Sequence, residues 1–161
     1  MALNYASSQT VTLPSALNSL ATGSSVQSDV VTTGTSNNTT DTLVHVEISI
    51  GAITASASTY ISIYAFGSED GTAYPGGAST TEVLGGGNGS VTLSANGNNL
   101  KFLGTIQAHT ASIVIKSEPM SIAAAFGGIM PRKWGLVIQN NTGANLASSG
   151  HAAKYSEVYY N

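Results

Sequence analysis

Between residues 42 and 50, Val44, Val46, Ile48 and Ile50 alternate with His45, Glu47 and Ser49. That period of two predicts a half-buried strand. Residues 58–66 alternate differently: Ile61, Ile63 and Ala65 share one face, while Tyr60, Tyr64 and Phe66 share the other with Ser62. A strand that is apolar on both faces needs cover on both, from a loop of the same chain or from another subunit. Shorter apolar runs predict strands at 25–33, 90–95, 99–107, 111–116, 133–139 and 152–160. Asn96-Gly97-Asn98 supplies a hairpin turn between the segments at 90–95 and 99–107. Residues 119–126 read as one short helix, with Pro119 in its first turn and Gly127-Gly128 ending it. Residues 67–88 form a long glycine-rich loop. Short strands spaced by Gly, Asn and Ser turns predict an all-β fold, a two-sheet antiparallel sandwich of jelly-roll type.

Residues 1–24 read as an extended N-terminal arm, followed by one sandwich domain over 25–161. Val11, Leu13, Leu17 and Leu20 give the arm apolar anchors, and Pro14 interrupts any long helix. Such an arm either packs on its own domain or reaches a neighbour; in the second case it is dispensable for folding, so deletion of residues 2–20 is expected to remove partner binding and leave the domain intact.

Composition sharpens this picture. Ser, Thr, Asn and Gly supply 70 of the 161 residues, and charged residues only 8%, against about 25% in an ordinary soluble domain. The first charge is Asp29, and the windows 48–68, 83–100 and 134–153 carry none. Neutral hydroxyls and amides are cheaper to bury in an interface than ions, which must be paired to offset desolvation. The composition therefore favours a protein that sits among neighbours. Five basic residues and a net charge of −3 argue against nucleic acid as a partner. Without cysteine there is no disulfide framework. The opening Met1-Ala-Leu-Asn-Tyr lacks a basic region and an apolar run, so neither a secretory signal nor a membrane partner is expected, and synthesis in a cytoplasm is.

Candidate chemistry is sparse. His45, His109 and His151 stand apart from one another, and no metal-binding or nucleophile-elbow spacing is present. Ser68-Glu69-Asp70-Gly71 offers oxygens to a calcium ion, but turn chemistry accounts for it equally well. No catalytic residue, metal or cofactor is expected, and the chain is read as not an enzyme. The aromatic residues stand out instead. Tyr60, Tyr64, Phe66 and Tyr74 suit either an interface or a sugar-stacking platform. Leu3, Tyr5, Val11, Leu13, Tyr60, Tyr64, Phe66 and Tyr74 are the candidate interface residues, with the loop 67–88 as a further contact.

The stretch Met130-Pro-Arg-Lys-Trp-Gly-Leu-Val-Ile-Gln-Asn-Asn-Thr-Gly-Ala-Asn-Leu146 resembles the C-terminal part of small structural proteins of tailed bacteriophages. There a Pro-x-x-Trp strand followed by an Asn-x-Thr-Gly turn recurs near the end of the chain. The likeness covers these residues; elsewhere it is one of composition. It implies a virion component: a capsid decoration (cement) protein, or a head–tail or tail accessory protein. The expected partners are further copies of the chain, a trimer favoured over a dimer, and the major capsid protein or other virion proteins. The alternative is a carbohydrate-binding module of a tail tip or fibre, recognising host-surface glycans by stacking on Tyr64 and Tyr74.

Overall fold

A computed structural model describes residues 2–34, 38–54, 56, 58–74, 87–93 and 99–161. Two antiparallel sheets pack against each other. The first has β12 (Ala152–Tyr160) and β5 (Thr39–Ser49) at its centre. The short strands β1 (Leu3–Tyr5) and β2 (Gln9–Thr10) lie along the free side of β12, and β9 (Val114–Lys116) and β10 (Met120–Ser121) along the free side of β5. The second sheet runs β7 (Gly89–Val91), β3 (Ser25–Gln27), β11 (Lys133–Asn141), β6 (Tyr60–Ser68) and β8 (Lys101–Gln107), with β4 (Val31–Thr32) also on β11. The long ladders join residues 39–47 to 152–159 and residues 60–68 to 133–141. One antiparallel ribbon thus passes from the first sheet to the second.

The core lies between the sheets. From β5 it takes Val44, Val46 and Ile48, with Ile50 just after it, and from β6 Ile61, Ile63 and Ala65, all at most 1% exposed, as their alternation predicts. From β11 it takes Trp134, Leu136 and Ile138. Trp134 crosses the core and packs edge-on against Tyr155 of β12, ring centroids 5.5 Å apart. At the other face of the second sheet a smaller cluster forms around Phe66, Tyr74, Leu100 and Val137. The second cover of β6 at its Phe66 end is therefore the chain's own loop. Gly135 lies directly opposite Phe66, and a Cβ there would clash with the Phe66 ring. The ring occupies the space of the missing side chain.

The Asn-x-Thr-Gly turn has a structural explanation. The Asn140 side chain is buried; its amide donates to Leu20 O and Ala144 O (both 2.8 Å), while its Oδ1 accepts from the Thr142 N–H and hydroxyl. Gly143 follows at φ +80°, a region glycine enters without penalty.

Four expectations need correction. Residues 1–24 are not a separate arm. β1 and β2 extend the first sheet by pairing with β12, and Val11, Leu17 and Leu20 are core residues. Hydrophobic burial draws this segment onto its own domain, so deletion of 2–20 removes core. The strands near 90 and 101–107 do not form a hairpin, because β7 pairs with β3 and β8 with β6, at opposite edges of the sheet; the turn proposed at 96–98 lies outside the described residues. The strand expected over 25–33 is two pieces. Between them Ser28 turns its hydroxyl to accept the Leu136 N–H. The helix is shorter, Ile122–Ala125, and begins after Pro119. Ser121 caps it by accepting from Ala124 N, and Asp41 Oδ1 accepts from Ala123 N, so its start is set by β5 and by Ser121.

Candidate functional site

The candidate interface residues divide into three groups. Val11, Phe66 and Tyr74 are 1%, 1% and 3% exposed, so they serve the interior and cannot touch a partner in this fold. Leu13 is partly buried against the main core. The others remain at the surface, on opposite faces of the sandwich: Leu3 and Tyr5 on the first sheet, Tyr60 and Tyr64 on the second.

On the first sheet the register fixes which side chains meet. Leu3 faces Tyr160 and Tyr5 faces Val158 across the β1–β12 ladder. Directly opposed residues share a face, so these four lie together on the outer side, in line with Asp41 and Leu43 of β5. Leu3, Tyr5 and Tyr160 are 49%, 61% and 45% exposed. The strip lies at an open sheet edge, since β1 has no neighbour beyond it among the described residues. Further along the face the surface turns polar: Glu47 pairs with Lys116 at 3.0 Å, with His45 at 3.7 Å. The Lys116 contact, above all, lowers the Glu47 pKa.

On the second sheet, Tyr60 and Tyr64 are half-buried on the outer face of β6. Tyr64 sits opposite Phe102 of β8, with rings edge-to-face at 5.6 Å. Sequence reasoning missed Phe102 as a surface residue. Its four-residue spacing from the core residue Ile106 implies a shared face, but a bulge at Leu103 sets Phe102 on the other side. Exposed Val114 and Ile129 were also missed.

The loop chemistry is structural. Asp70 Oδ1 accepts from Ser68 Oγ, Thr72 N and Ala73 N at 2.7–2.9 Å, which closes the turn and holds its carboxyl well below the usual carboxylate range. A cleft of about 500 Å³ beside it is lined in part by Thr33, Asp70, Arg132 and Lys133. Among the described residues no three His, Asp or Glu side chains gather where a metal could be held. No described helix is long and apolar enough to cross a membrane.

His151 fastens the loop before β12 to β5. Its Nδ1 accepts from Ser49 N (3.2 Å) and its Nε2–H donates to Ala147 O (3.0 Å), which fixes the neutral ring. Burial lowers its pKa, partly opposed by the Ala147 bond. A depressed histidine pKa means that the unfolded chain binds the extra proton more readily. Its contribution to stability is therefore complete above about pH 6.5 and is lost as pH falls through the folded value. Thermal midpoints measured from pH 8 to pH 5 are expected to fall for the wild type and to change less over that window for His151→Asn. Equal slopes would refute the role.

Comparison with protein-family models, curated proteins and solved structures finds no match. The fold and surfaces define a sparsely charged all-β sandwich with two exposed apolar or aromatic faces.

Proposed function

We propose that this chain is a non-enzymatic structural component of a tailed-phage particle, a head decoration (cement) protein that self-associates and holds neighbouring capsid subunits together. The observation that carries the reading is the strip Leu3–Tyr5–Tyr160, three large side chains about half exposed on one face of an open sheet edge. Apolar area is worth roughly 25 cal/mol per Å² when removed from water, and aromatic anchors are the usual centre of an interface. The low charge supports the same reading, because the surrounding hydroxyls and amides can be covered at small cost. The phage context comes from the likeness over residues 130–146. Several copies in one oligomer would bind a capsid lattice through many weak contacts at once, which multiplies affinity. The protein would then reside in the virion.

Light scattering on the purified chain is expected to give a closed oligomer, a trimer favoured over a dimer. The double variant Leu3→Asp/Tyr160→Asp is expected to be a folded monomer that no longer co-sediments with the phage heads. A wild-type protein that stays monomeric to about 100 µM, or heads that retain the variant fully, would overturn the assignment.

A further inference from the structure

The outer face of the second sheet is independent of that edge and has a chemistry of its own. In the ladders, Tyr60 stands between Gln107 and Asn141, Ser62 between Thr105 and Gln139, and Tyr64 between Phe102 and Val137. All nine share one face, Ser62 and Val137 buried within it and the other seven at least partly exposed, and none is ionisable as an acid or base apart from the tyrosine hydroxyls. Tyr60 and Tyr64 are four residues apart, about 13 Å along an extended strand. Phe102 beside Tyr64 leaves 59% of its surface exposed.

The polar groups between the rings are only partly used. The Asn141 amide donates to Ser62 Oγ (3.2 Å) and to Gln139 Oε1 (3.4 Å). That orients both carboxamides and leaves Asn141 Oδ1 as an acceptor and Gln139 Nε2 as a donor with no partner among the described residues. The Tyr60 and Tyr64 hydroxyls likewise have no protein partner among them. Gln107 is committed elsewhere, donating to Ser56 O and Thr59 O.

We propose that this strip binds a neutral oligosaccharide. A pyranose ring presents an apolar C–H face, suited to a tyrosine or phenylalanine ring, and a rim of hydroxyls that both donate and accept. The strip supplies rings at its ends and oriented amides between them. The absence of formal charge matches an uncharged sugar and disfavours uronates or sialylated chains. With Ser62 and Val137 covered, a sugar meets only the rings and the amides beside them, so a single site binds weakly, with Kd of about 1 mM. Tyr74, a candidate platform residue from the sequence, takes no part, since it lies buried edge-on against Phe66.

The test is an NMR titration of the full chain with soluble hexamers of α-glucose, β-glucose, mannose and N-acetylglucosamine, and with polygalacturonate as the anionic control. At least one neutral hexamer is expected to shift the Tyr60, Tyr64 and Phe102 ring resonances saturably. Tyr60→Ala and Phe102→Ala, each checked for an unchanged fold, are expected to weaken that binding about tenfold; Tyr64→Phe is expected to retain most of it. Flat titrations with all four neutral hexamers at about 20 mM, binding unchanged in both alanine variants, or a preference for polygalacturonate would overturn the proposal. None of these outcomes depends on oligomerisation or on capsid binding.

Discussion

Deleting residues 2–20 is expected to leave no folded protein, whereas deleting residues 2–6 leaves the sandwich standing. The longer deletion removes Val11, Leu17 and Leu20 from the core. It also removes the backbone bonds Val11 N to Ala153 O, Ser19 N to Ala147 O and Leu146 N to Leu20 O, and with Leu20 O one acceptor of the buried Asn140 amide. Truncating one buried aliphatic costs about 2–5 kcal/mol, and a domain has only about 5–15 kcal/mol to lose. Removing three of them costs about 6–15 kcal/mol, as much as that whole margin before their hydrogen bonds are counted. The shorter deletion takes only β1, whose Leu3 and Tyr5 are half exposed or more, and opens one side of β12 to water. Circular dichroism and proton NMR are expected to show an unfolded or aggregated long deletion and a dispersed, folded short one. A long deletion that melts like the wild type would mean that residues 7–20 are not core.

Trp134→Ala is the point substitution expected to cost most. The side chain is fully buried, reaches from β11 across to Tyr155 of β12, and so ties one sheet to the other. Its loss is expected to cost about 3–5 kcal/mol, which for a chain of this size lowers the thermal midpoint by roughly 10–15 °C. The indole Nε1 is buried without a hydrogen-bond partner among the described residues. Trp134→Phe keeps a ring against Tyr155 and removes that unpaired donor, so it is expected to cost distinctly less than the alanine variant. Equal losses in the two variants would show that ring packing is not what Trp134 contributes.

The strands that were legible in the sequence are those whose own side chains encode a buried face. β5 alternates Val44, Val46, Ile48 and Ile50 with polar residues, and β6 shows its two apolar faces directly. Both are found within two or three residues of their expected limits. The short edge strands were not legible, because three residues such as Leu3–Tyr5 carry no period and owe their conformation to β12. Pairing was also hidden: nothing local to Val91 or Lys101 says that one joins Ser25 and the other Ala65. At the surfaces, tyrosine identity alone could not separate Tyr74, which closes over Phe66, from Tyr60, which remains half-buried at the face. One inserted residue at Leu103 turned Phe102 from an apparent core residue into a surface ring.

The pairing of Leu3 with Tyr160 has a consequence for the order of events in synthesis. Both long ladders join an earlier segment of the chain to a later one, and such distant contacts fold slowly because loop closure precedes any gain. On the ribosome, β5 and β6 emerge well before β11 and β12, and until those follow they have no central neighbours. The strip proposed for self-association is itself divided between the first strand and the last. It comes into being only when β12 has docked, so chain connectivity makes assembly wait for folding.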